Sequence, residues 1–175
     1  FTAVEIIAQS PLDPAPTNVS FKGPGNVTLK GYMAVPPAKG VYPGVLLIHE
    51  WWGLNMDMKR LADALSAEGY VVLAVDAYRG KTAQTADQAR ALVQNTPQSQ
   101  VQADLSAALK FLQSRPTVDA NKVASWGFCF GGTQSMYLGT RTPELAAVVI
   151  FYGSGPITSA DQLGRMKEAG PVLGI

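Results

Sequence analysis

The stretch Lys122-Val-Ala-Ser-Trp-Gly127-Phe-Cys129-Phe-Gly131-Gly132 decides how the rest of this chain is read. Its first half is a short apolar run, Val123–Trp126, the pattern of a strand buried on both faces. Its second half is Gly-x-Cys-x-Gly, and Gly131–Gly139 then reads as a helix. So tight a strand-to-helix turn holds its central residue in a strained backbone conformation. Glycines two before and two after that residue let neighbouring backbone pass without Cβ clashes. The pattern predicts a nucleophile elbow, with Cys129 where serine is commoner. The helix N-terminus would point at Cys129 and favour its thiolate. The Phe130 amide would be free to stabilise an oxyanion. The plainer alternative is a small buried cysteine in a glycine-rich turn, since free cysteine is among the most buried residue types.

Outward from this segment, Val45–Ile48, Tyr70–Val75 and Leu145–Tyr152 are further apolar runs of strand length, and Pro171–Ile175 begins another. Val27–Val35 alternates apolar and polar residues, as a half-buried strand does. Helices are predicted between them. Asn55 caps one through about Glu68, with Met58, Leu61, Ala62 and Leu65 on one face and Gly69 at its end. Thr96-Pro97 opens another with the stripe Val101, Leu105, Ala108, Leu109 and Leu112, stopped by Pro116. Ser159 and Gln162 form a capping box for a helix ending near Gly170. Strands alternating with helices predict an α/β fold, a mainly parallel sheet with helices on both faces. Residues 1–26 read as an N-terminal arm, and 27–175 as a single domain.

Composition excludes several classes. Charged residues are 15% and the formal net charge is +1, so no basic footprint for nucleic acid or an anionic membrane surface is present. The apolar runs are far too short to span a bilayer. One cysteine and one histidine, His49, argue against a disulfide framework and against a metal site, and no cofactor motif is found. A soluble protein is expected, cytoplasmic, or periplasmic or secreted after loss of a signal peptide.

A second informative segment is Ile48-His49-Glu50-Trp51-Trp52-Gly53, just past a buried strand. Ligands of open α/β sheets bind at the carboxyl ends of strands, where Glu50 sits. In an α/β-hydrolase arrangement this loop gives the second oxyanion-hole amide, here that of Trp51. Trp52 would help to line an apolar pocket. His49 adjoins Glu50 and should point to the opposite face, away from Cys129.

Together, Gly-Phe-Cys-Phe-Gly-Gly, His-Glu-Trp-Trp-Gly and the Asp76-Ala-Tyr-Arg79 segment resemble the dienelactone hydrolase family. The resemblance implies an α/β-hydrolase fold and cleavage of a small-molecule lactone or carboxylic ester through an acyl-enzyme. It makes Cys129 the nucleophile. It makes Glu50 the carboxylate that contacts the resting thiol and helps to deprotonate it. It brings Arg79 to a substrate carboxylate, although Arg79 directly follows Tyr78, whereas some relatives place the arginine one residue later.

The fold orders its triad as nucleophile, acid, histidine, yet no histidine follows Cys129. The resemblance places both missing members beyond Ile175, so the last strand-helix units are expected to lie outside this sequence. A sheet cut there would offer an edge for self-association. A non-catalytic hydrolase-like module that binds a ligand or partner remains the competing reading.

Overall fold

The computed structural model describes residues 10–155 and 159–175. Its strands are β1 (Val19–Lys22), β2 (Thr28–Ala34), β3 (Tyr42–Ile48), β4 (Val71–Val75), β5 (Val118–Phe128), β6 (Ala147–Phe151) and β7 (Val172–Gly174). Its helices are α1 (Met56–Ala67), α2 (Ala86–Asn95), α3 (Gln98–Gln113), α4 (Phe130–Gly139) and α5 (Ala160–Glu168). The strands form one sheet in the order β1-β2-β4-β3-β5-β6-β7. β1 and β2 are antiparallel to their neighbours, and every pairing from β4 through β7 is parallel. The expected mainly parallel sheet is present.

The apolar run of β3 explains why that strand is central. Leu46 and Ile48 face one core, with Leu73 and Val75 of β4, under Leu105 and Leu112 of α3 and Leu138 of α4. Val45 and Leu47 face the other core, with Val72 and Ala74, under Met58 and Ala62 of α1. Alternate side chains therefore feed opposite layers, and helices cover both faces. Asn55 caps α1 by accepting from the Met58 amide at 3.2 Å. Ser159 caps α5 in the same way, from Gln162 at 3.2 Å.

One expectation needs correction, and one element goes unread in the sequence. The arm assigned to 1–26 is too long. Residues 19–22 pair with β2 in the sheet, and Pro14 bridges to Asn55 at the head of α1. The alternation of Val19 and Phe21, with Phe21 in the core, is what builds β1. Residues 1–9 lie outside the described residues. The segment before Thr96-Pro97 is a separate helix, α2, capped by Thr85. It buries only Ala89, so it lacks the apolar stripe that marks α1 and α3.

Candidate active site

Three parallel neighbours, β3, β5 and β6, end side by side, and the residues just past them build the site. His49 and Glu50 follow β3, Cys129 follows β5, and Tyr152 follows β6.

Cys129 stands alone between the last residue of β5 and the first of α4, with φ 52° and ψ −114°. A non-glycine residue adopts positive φ only where its surroundings hold it there. Its amide donates to the Phe151 carbonyl at 2.9 Å, and its carbonyl accepts from the Thr133 amide at 3.0 Å. The flanking glycines allow the backbone to close around it. A Cβ at Gly127 would overlap the Gly131 carbonyl, and one at Gly131 would overlap the Ile48 carbonyl. The second contact presses the start of α4 directly onto the end of β3. The Phe130 amide, at the first turn of α4, and the Trp51 amide have no acceptor among the described residues. Both are donors left over for a ligand.

Beside Cys129 opens a cavity of about 490 Å³. Trp51, Cys129, Phe130 and Ser154 line one part of it, and Val93 and Pro97 of the α2–α3 corner another. No charged side chain is on its described wall. Thr133 fixes the Ser154 loop by donating to the Ser154 carbonyl at 2.6 Å and accepting from its amide at 2.9 Å.

Glu50 accepts from the Tyr152 hydroxyl at 2.9 Å, and no hydrogen bond joins it to the Cys129 sulfur. The contact implied for the resting thiol is thus replaced by one to tyrosine. Tyr152 is itself at positive φ, 38°. No local motif marks Tyr152. Its one signal is its position just past a parallel strand, as for Cys129 and Glu50.

His49 is 1% exposed. Its Nδ1 donates to the Glu50 carbonyl, and its Nε2 accepts from the Ala77 amide at 3.2 Å. Burial pushes its pKa down to about 4, against smaller upward contributions from backbone hydrogen bonds. The ring is therefore neutral near pH 7 with its lone pair occupied, and it braces the loop after β3 against the loop after β4. It does not serve as a base.

Neither Trp52 nor Arg79, the expected substrate contacts, lines the cavity. Trp52 packs edge-on against Trp51, with ring centroids 5.2 Å apart. Arg79 places Nε and Nη2 on the two carboxylate oxygens of Asp104 at 2.8 and 2.9 Å. Asp104 is completely buried, so this bidentate pair fastens the β4 loop to α3. Asp76 shapes that loop by accepting from the Tyr78 and Gly80 amides. Among the described residues, no three His, Cys, Asp or Glu side chains converge to hold a metal ion. Nor is any helix among them long and apolar enough to cross a membrane.

Residues 29–175 match the sequence profile of the dienelactone hydrolase family. The chain belongs to the dienelactone hydrolase family. Among its relatives is Protein usf of Aquifex pyrophilus, 39% identical over 150 residues, covering 82% of this chain and 64% of that protein. A Synechocystis sp. protein provisionally named carboxymethylenebutenolidase is 32% identical over 157 residues, covering 79% of this chain and 63% of that one. The chain thus spans less than two thirds of the length of these dienelactone hydrolase relatives. Among solved structures, a dienelactone hydrolase-like promiscuous phosphotriesterase, P91, from metagenomic libraries superposes with a TM-score of 0.77 at 28% identity. That match covers 91% of this chain and 68% of P91. The fold is that of the α/β hydrolases.

Proposed function

We propose that this chain carries the nucleophile of a lactone or carboxylic-ester hydrolase that works through a cysteine acyl-enzyme. The observation that carries the reading is Cys129 at φ 52° between β5 and α4, with the unpaired Phe130 amide next to it and in front a cavity that Trp51 also lines. The names of its relatives supply the substrate class.

In this reading Glu50 accepts the proton from Cys129. The thiolate forms a bond to the substrate carbonyl carbon, and the carbonyl oxygen becomes an oxyanion held by the Trp51 and Phe130 amides. Collapse breaks the carbon–oxygen bond of the ester, and the leaving alkoxide takes the proton back from Glu50. Water then cleaves the thioester, releasing the acid and restoring the thiol. Trp51 and the α2–α3 corner contact the body of the substrate. Arg79 is held by Asp104, and this reading assigns it no substrate contact.

The test is mass spectrometry of the protein quenched during turnover of an activated ester. An acyl adduct on Cys129, together with loss of turnover in Cys129→Ala, is expected. Wild-type turnover in Cys129→Ala overturns the reading.

A further inference from the structure

Tyr78 lies in the loop after β4, next to the strand that leads to Glu50. Its ring packs against His49 at 4.7 Å and against Phe130, the residue after Cys129, at 5.2 Å between centroids. The His49 and Phe130 rings also stack, at 5.8 Å. Three rings therefore form a plug under the Cys129 turn. Tyr78 is 3% exposed, and its hydroxyl has no hydrogen-bond partner among the described residues. A phenylalanine would fill this plug without burying an unpaired oxygen, and buried hydroxyls nearly always find a partner. The oxygen thus asks for a function beyond packing.

We propose that the Tyr78 hydroxyl donates a hydrogen bond to the Cys129 thiolate, making Tyr78 the positioning residue that holds the charged sulfur at the inner end of the cavity. Two properties of the site support this. Burial, followed by the nearby Cys129 charge, raises the Tyr78 pKa, so the phenol keeps its proton and acts as a donor. The other groups about the sulfur have other engagements. His49 is neutral and hydrogen-bonded through both nitrogens, and Tyr152 is given to Glu50. A thiolate released by Glu50 would otherwise rest on the helix N-terminus alone.

The proposal rests on Cys129 being the nucleophile only for its consequence in turnover, and the experiment separates the two. Tyr78→Phe removes one oxygen and keeps the ring. Alkylation of Cys129 by iodoacetamide is followed by peptide mass spectrometry across a pH series, alongside ester turnover and urea unfolding. The expected result is an alkylation midpoint about one pH unit higher and alkylation about tenfold slower near neutral pH. The kcat should fall with KM little changed, and the unfolding midpoint should be equal or higher. An alkylation profile superimposable on wild type, with raised stability, overturns the proposal and leaves Tyr78 as a core ring. If the profile shifts while Cys129→Ala keeps full turnover, the hydrogen bond stands and the nucleophile assignment falls.

Discussion

The Tyr152 hydroxyl reaches Glu50 Oε1 at 2.9 Å across 102 residues of sequence, and the strand between them in the sheet is the one that carries Cys129. The bond therefore spans the end of β5. It fixes the Glu50 carboxylate at the ends of these strands without joining it to the sulfur. If Glu50 is the proton acceptor, its rotamer is set by a side chain that does no chemistry itself.

Tyr152→Phe should accordingly lower kcat by roughly tenfold, by loosening Glu50. KM should change little. Tyr152 is 59% exposed, so stability should stay within about 0.5 kcal/mol of wild type. Glu50→Gln should cost more, because it removes the acceptor itself, and Tyr152→Phe in that background should add almost nothing. Independent, multiplying losses from steady-state kinetics would show that the tyrosine does not act through Glu50.

Gly131→Ala should destabilise the protein by roughly 3 kcal/mol, since the new methyl meets the Ile48 backbone carbonyl rather than a movable side chain. Gly164 in α5 provides the contrast. It is exposed, and a Cβ there meets nothing within 4 Å. Gly164→Ala should stabilise by about 0.5–1 kcal/mol through helix propensity. Urea unfolding of the pair measures both.

His49 predicts a pH dependence. The unfolded chain protonates it near pH 6.5 and the folded chain only near pH 4. Between those values the unfolded state holds more protons, so stability falls as pH falls through the window, by about 3 kcal/mol in total. Asp76 has the opposite sign. Desolvation raises its carboxyl, so its contribution is present at low pH and lost as pH rises through the folded value. The difference between wild type and His49→Gln, followed by urea unfolding across this range, isolates the histidine. A slope unchanged by the substitution would mean that the ring is not buried neutral.

β7 is the last strand of the described sheet. Val172, Leu173 and Ile175 are 43%, 52% and 69% exposed. An apolar edge of this kind pairs with other chains. The polypeptide Phe1–Ile175 is expected to elute above monomer size on gel filtration, and Leu173→Lys should shift it towards monomer. A sharp wild-type monomer peak would contradict this.

The elements legible in the sequence are those in which local chemistry and burial agree. Asn55 and Gly69 bracket α1, and the Val123–Trp126 run followed by Gly-x-Cys-x-Gly yields β5, the turn and α4. α2 escapes because its N-cap is present but its apolar face is not. β1 escapes because four residues hold too little alternation to stand out beside prolines. Within the site, Cys129, Glu50 and Trp51 are readable because short motifs contain them. Tyr152 is not, because its meaning depends on which strands lie side by side, and Tyr78, although inside Asp76-Ala-Tyr-Arg79, has a meaning set by its packing on His49 and Phe130, which has no local signature. The engagement of Arg79 by Asp104 is hidden for the same reason, since the two residues are 25 apart and meet only through packing.

The backbone crowding at Gly127 and Gly131 has a consequence for how this scaffold can change. A turn built by main chain pressed on main chain tolerates almost no substitution, so mutational drift cannot reshape it gradually. The α2–α3 corner is different, because Val93 and Pro97 line the cavity where α3 meets the core through side chains and α2 buries only Ala89. New substrate preferences should therefore arise there, and a saturation library directed at the corner should yield functional variants far more often than one directed at the turn.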